Sequence, residues 1–274
     1  AVVAGTILWL HQARDRNQLE VQQEHLSDLR TSELLRTTPE QEQSETIITE
    51  GGADNIYPEE TAPPSPTVYE VLPEYQAMYE ENHDMVGWLS IDGTVIDYPV
   101  MQTPEDEDYY LDKGFDKRPN SNGCLMMGKD CAVGVGTKET GYAVGSAPST
   151  NLIIHGHTMR SGTMFGNLHL YEDADYAQAH STIHFDSLYE RREYEVIAAF
   201  YSQVYYKDQD VFKYYQFIQA DTQEDFDKWY DNIKALALYD TGVTASFGDE
   251  FITLSCCSYQ VEDGRFVVVG KRVM

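Results

Sequence analysis

The stretch "SIDGTVIDYPV", residues 90–100, restricts the fold more than any other part of the chain. Asp92-Gly93 stands between two runs rich in Val, Ile and Tyr. Such a pair tolerates the backbone of a tight turn, so the arms are expected to pair as an antiparallel hairpin. Further short β-rich runs lie at 86–91, 151–155, 194–201, 251–254 and 266–269. Short strands with irregular connections point to a mostly antiparallel barrel or sandwich, with helices as insertions.

Two helices are legible around these strands. Leu72, Tyr75, Met78 and Tyr79 fall at helical spacing ahead of the first strand. In "DTQEDFDKWYDNIKALALY", Phe226, Trp229, Tyr230, Ile233 and Leu236 form one apolar face, and Thr222 with Asp225 reads as a capping box with Asp in place of Glu. This helix is placed to roof one end of the β structure.

The N-terminal quarter is organised differently. "AVVAGTILWL" covers about 15 Å as a helix, half of a hydrocarbon core, so these residues cannot span a membrane alone. Residues 1–10 read as the remnant of a membrane anchor, the alternative being a helix turn packed on the domain. On the anchor reading everything after Leu10 lies outside the cell membrane. Residues 11–36 are polar and helix-favouring, with a thin stripe of Leu19, Leu26 and Leu29, and read as a stalk. Residues 37–67 contain seven acids, no Lys or Arg, and "TAPPSPT". One-signed charge with Pro describes a linker, assigned to 37–66, with a folded domain over 67–274.

Charge narrows the partners. Nineteen Lys and Arg stand against 46 Asp and Glu, a formal charge of -27. Nucleic acid and anionic lipid both need clustered cations, so neither is expected to bind broadly. Of the four cysteines, Cys124, Cys131, Cys256 and Cys257, none forms a paired CxxC pattern. Cys124 and Cys131 could pair, but buried or free thiols are the expected state.

Three segments carry potential chemistry. The Gly-rich "AVGVGTKETGYAVG", residues 132–145, lacks the Gly-Lys-Ser/Thr ending of a phosphate loop and reads as a flexible loop. In "NLIIHGHTMR" an apolar strand runs into His155 and His157, which share a face two residues apart. They could be structural, could ligate a metal, or could supply a catalytic imidazole; a zinc site would need a third ligand, and no HExxH-like partner is visible. In "TLSCCSYQVEDGR" alternation sends Cys256 and Cys257 to opposite faces, one packed and one toward a groove. A free cysteine, with pKa ~8.5, is a strong nucleophile once a cation or His raises its thiolate fraction. Arg265 follows a turn-like "EDG", and a hairpin would return it beside the thiol, where its fork of donors suits an oxyanion. Cysteine, histidine and arginine together would specify acyl transfer, and plain packing remains the alternative.

The order and spacing of "YQAMYEENHDMVGWLSIDGTVIDYPVMQ", "DYYL", "IHGHTMRSGTMFGNL", the inserted helix, "TLSCC" and "GRFVVVGKR", across residues 72–273, resemble a class B sortase, a cysteine transpeptidase of Gram-positive bacteria. The resemblance implies a mostly β fold: a closed barrel of about eight strands, with N-terminal helices and a helix inserted before the strand carrying the catalytic cysteine. It makes Cys257 the nucleophile, His157 the acid/base and Arg265 the oxyanion cation; Arg272 lies further along. Cys256 stands where the family usually has Thr, and His155 where class B enzymes often have Tyr. Ser255 and His155 are the implied substrate contacts. No cofactor or metal is implied. The implied partners are the C-terminal sorting signal of a secreted protein and an amine from a peptidoglycan precursor or a pilin, with the enzyme anchored in the membrane by its N-terminus and facing outward. The inserted helix would wall the peptide groove. A hydrolase ending with water and a non-catalytic peptide-binding module are the competing readings.

Overall fold

The computed structural model describes residues 2–36 and 69–274, so the linker expected at 37–66 lies outside the described residues. The chain opens with helix α1 (Val2–Arg36), then α2 (Pro73–Glu81), β1 (Met85–Ser90), β2 (Asp97–Met101), β3 (Leu125–Met127), β4 (Gly136–Thr137), β5 (Gly141–Tyr142) and β6 (Asn151–Gly156). There follow α3 (Ala174–Ala179), β7 (Thr182–Ser187), β8 (Glu193–Gln203), α4 (Gln223–Leu236), β9 (Phe251–Cys257) and β10 (Gly264–Arg272).

Eight strands close into a ring in the order β1-β2-β3-β6-β9-β10-β8-β7. The hairpin expected at Asp92-Gly93 is present as β1 paired antiparallel with β2. Its loop is longer than a two-residue turn: the Ile91 amide bonds the Ile96 carbonyl, and Gly93 supplies the positive φ of 74°. Two pairings, β2 with β3 and β6 with β9, are parallel, so the sheet is mixed rather than purely antiparallel. Strands β3 and β7 escape a periodicity reading because one is three residues long and the other, "TIHFDS", mixes His and Asp with Ile and Phe. Residues 132–145 contain the β4–β5 hairpin rather than a structureless loop. Tyr142 of that hairpin bonds Glu190 and Arg272, which pins it to the ring.

Alternation along the strands divides the apolar residues into two faces. Ile252, Leu254 and Cys256 of β9 point into the ring with Leu89, Val100, Leu125, Ile154 and Val268. Phe251, Val267 and Val269 point outward and are covered by Phe226, Trp229 and Ile233 of α4. Full burial of each such side chain favours folding by roughly 1.5–3 kcal/mol. The start of α4 is fixed by the capping box, in which the Thr222 hydroxyl accepts from the Asp225 amide and the Asp225 carboxylate accepts from the Thr222 amide.

A third cluster seats the N-terminal helices against the outside of β1. Leu26 of α1 is fully buried with Tyr75 and Met78 of α2, Trp88 and Met101. Arg30 lies over the rings of Tyr75 and Trp88, and Gln22 accepts from the Phe115 amide. The stripe expected of a stalk is therefore docked along the ring, because its leucines find an apolar surface there. No helix among the described residues is long and apolar enough to cross a membrane.

Candidate active site

The site grows out of two ladders that meet at β9. In the antiparallel β9–β10 ladder Cys257 stands directly opposite Arg265, so the hairpin return expected from "EDG" is present. In the parallel β6–β9 ladder His155 pairs with Ser255 and Gly156 with Cys256, which brings His157 and Cys257 to the ends of adjacent strands. Gly156 is required there: a Cβ would come within 2.6 Å of both Leu125 and Phe165. This close approach lets the chain leave β6 at the height of the thiol.

The two cysteines divide as alternation requires. Cys256 is 2% exposed and belongs to the ring interior, whereas Cys257 is exposed. Burial raises the Cys256 thiol to about 11, so it stays protonated at neutral pH. Cys124 and Cys131 are buried free thiols, raised chiefly by burial as well. Of the four, Cys257 alone combines a free thiol with access to solvent.

Cys257 borders two cavities. The first, about 240 Å³, is floored by residues that share one face of neighbouring strands: Met126 of β3, His155 of β6, Ser255 and Cys257 of β9, and Arg265 of β10. His157 and the segment carrying Glu107, Asp108 and Leu111 close its side. The second, about 370 Å³, is lined by Thr158 to Arg160, Asn167, His169, Tyr201, Tyr259 and Phe266. The residues of α4 line neither cavity; the helix covers the outer sheet and does not wall the groove as expected.

Hydrogen bonds fix the functional side chains. His157 Nε2 lies 2.7 Å from the Leu111 carbonyl, which can only accept, so Nε2 carries a proton. Nδ1 has no hydrogen-bond partner among the described residues. Arg265 Nη1 donates to the carbonyls of Asp263 and Gly264 at 3.3 and 3.0 Å, leaving Nε and Nη2 without protein partners among the described residues. The Thr158 hydroxyl donates to the Cys257 carbonyl at 2.6 Å and so holds the loop after His157 against the end of β9.

The two substrate positions read from sequence behave differently. The Ser255 hydroxyl is buried and shares a 2.7 Å hydrogen bond with Tyr214. Burial lowers the His155 pKa, with Arg265 acting the same way and Glu107 opposing, so this imidazole is neutral in the floor. Arg272 is committed elsewhere, to Glu190 and Glu250. Tyr214, Thr158, Met126 and Glu107 are spatial neighbours of these residues that the sequence does not single out. Of these only Thr158 has a local signal, its place directly after His157. Among the described residues no cluster of three or more His, Cys, Asp or Glu is arranged as a metal site.

No protein-family profile matches the chain. A sortase B of Listeria monocytogenes is 34% identical over 206 residues, covering 74% of this chain and 76% of that protein. A sortase B of Staphylococcus aureus is 27% identical over 205 residues, covering 73% of this chain and 75% of that protein. A crystal structure of a sortase B complexed with triglycine superposes with a TM-score of 0.61 at 25% identity, covering 75% of this chain and 87% of that one. With this degree of identity over most of both chains, and with the same ring of strands, the protein belongs to the sortase B family of cysteine transpeptidases.

Proposed function

We propose that this sortase cleaves the C-terminal sorting signal of a secreted protein at Cys257 and transfers the new acyl end to an amine. The observation that carries the reading is the cross-strand pair of an exposed thiol and an arginine, at the border of two cavities and beside a histidine. The Cys257 thiolate attacks the carbonyl carbon of the scissile peptide bond. Charge builds on the carbonyl oxygen, where the free Nε and Nη2 donors of Arg265 stabilise it. The C–N bond breaks as His157, made an imidazolium by taking the Cys257 thiol proton on Nδ1 while Nε2 stays bonded to the Leu111 carbonyl, gives that Nδ1 proton to the leaving amine, and a thioester remains. An incoming amine then adds to the thioester, the C–S bond breaks, the amine's proton passes to His157, and the thiolate is restored. The sorting peptide occupies the cavity floored by Met126, His155 and Ser255. The acceptor approaches from the cavity on the other side of Cys257.

The apolar residues 1–10 are proposed as part of an N-terminal membrane anchor, with the catalytic domain on the extracellular face. The acceptor is then an amine at the cell wall. A peptide library incubated with the full chain, with and without triglycine, tests the transfer. Transfer requires that the amine divert the product from free acid to amide; a product that stays acid at saturating amine identifies a hydrolase, and binding without cleavage identifies a peptide-binding module.

A further inference from the structure

A third cavity, about 430 Å³, lies between α1 and the loops around the site, and it is lined by Arg16 of α1, Ser121, Asn122, Arg160 and Tyr259 among others. Thr158, Met159, Arg160 and Tyr259 line both this cavity and the 370 Å³ cavity that reaches Cys257, so the two lie side by side across a shared border. Its electrostatics run against the rest of the molecule. Acids outnumber bases 46 to 19 in the chain, yet the residues lining this cavity include two arginines and no Asp or Glu.

Both arginines are available. Arg160 makes no hydrogen bond or ion pair through its side chain among the described residues. Among the described residues Arg16 has only an exposed i,i+4 pair with Glu20 at 3.7 Å, the kind of contact worth little and easily exchanged. The nearby Asp15 carboxylate is already engaged: it accepts from the Ser121 hydroxyl at 2.6 Å and from the Ser121 amide at 3.2 Å. The Asp15 carbonyl takes the Asn120 amide group at 3.2 Å. These contacts tie α1 to the 120–122 loop and hold Arg16 at the rim. A cavity with one unpaired guanidinium, Arg160, and one held only by an exposed ion pair, Arg16, suits an anion, for which arginine's planar donors are adapted.

We infer that this cavity holds the anionic group, a phosphate or a carboxylate, of the amine acceptor whose nitrogen reaches the Cys257 thioester through the neighbouring cavity. The inference rests on the transpeptidation proposed above and narrows its acceptor to an amine that also carries an anionic group, such as a cell-wall precursor supplies, rather than a lysine side chain with none. Helix α1 is then part of the acceptor site, which gives its docking a function.

The test uses one amine in three forms: triglycine amide, triglycine with its free carboxylate, and triglycine joined to ethanolamine phosphate. Amide formation is followed at a fixed concentration of sorting peptide, for the full chain and for the double variant Arg16→Gln/Arg160→Gln. The expected result is a kcat/KM for one or both anionic forms about tenfold or more above the neutral form in the wild type, falling toward parity in the double variant. Which anionic form gains decides between phosphate and carboxylate. Equal use of all three amines by the wild type overturns the inference while leaving transpeptidation intact, and so does a preference that survives the double substitution. Absence of transfer to any of the three overturns transpeptidation itself and this inference with it.

Discussion

Cys257 and Arg265 are cross-strand partners, directly opposite each other in the β9–β10 ladder. Opposed residues on one face hold their Cβ atoms roughly 4.5–5.5 Å apart, so the ladder roots the Arg265 side chain beside the thiol, and the Asp263 and Gly264 carbonyls, accepting from Nη1, hold its guanidinium. Because the ladder is made by main-chain bonds, Arg265→Ala should fold normally and lose roughly 10²–10³-fold in kcat, the usual effect of removing an oxyanion donor. Arg265→Lys keeps the charge but not the fork and should recover only a small part of that loss. Steady-state kinetics beside a thermal melt separate this from misfolding; full activity in Arg265→Lys would show that charge alone suffices.

The proton on His157 Nε2 is held by the Leu111 carbonyl. If His157 protonates the leaving amine, His157→Ala should slow cleavage of a peptide by roughly 10²–10⁴-fold. A thioester substrate, whose leaving group needs no proton, should be slowed far less. Equal losses on peptide and thioester substrates would assign His157 a role other than acid.

Leu26 joins α1 to the folded domain. Leu26→Ala removes a fully buried side chain and should cost about 2–5 kcal/mol in urea unfolding. Val21, exposed on the same helix, is the control: Val21→Ala should change stability by less than about 0.5 kcal/mol. Equal small effects from both would mean that the helix stands free as a stalk.

Glu190 is the hub of a buried ion network. Burial alone would raise its pKa, but the Lys138 amide, Arg272 and Arg192 together outweigh burial and hold it below the ordinary glutamate value of 4.5. A carboxyl depressed by folding contributes stability above its unfolded pKa, and that contribution is lost as pH falls through the folded value. Glu190→Gln should therefore lower Tm at pH 7, and the gap to wild type should close as the pH drops below 4.5 and through the depressed folded value. Melts across that range that stay parallel would contradict the account.

Much of this is readable from the chain because the signals are local. The capping box at Thr222 and Asp225, the hairpin at Asp92-Gly93, and the opposite faces of Cys256 and Cys257 each depend on residues within a few positions of one another. What escapes depends on register between distant strands. Met126 enters the site floor because a three-residue strand pairs Met126 with His155, and Tyr214 touches that floor only through its hydroxyl, which reaches Ser255 across 41 residues. The helix α4 is amphipathic as its spacing says, but periodicity gives a face without saying which surface it covers; it covers Phe251 and Val267, away from the groove. Leu19, Leu26 and Leu29 likewise show a stripe without its partner.

The most direct test of the central claim is the intact mass of the protein caught during turnover. After brief incubation of the full chain with a cleavable sorting peptide and acid quench, a covalent adduct equal to the acyl fragment should map to Cys257. It should persist in Cys256→Ala, vanish in Cys257→Ala, and disappear when an amine is added before the quench. An adduct on Cys256, or cleavage that continues in Cys257→Ala and is lost in Cys256→Ala, would contradict the account.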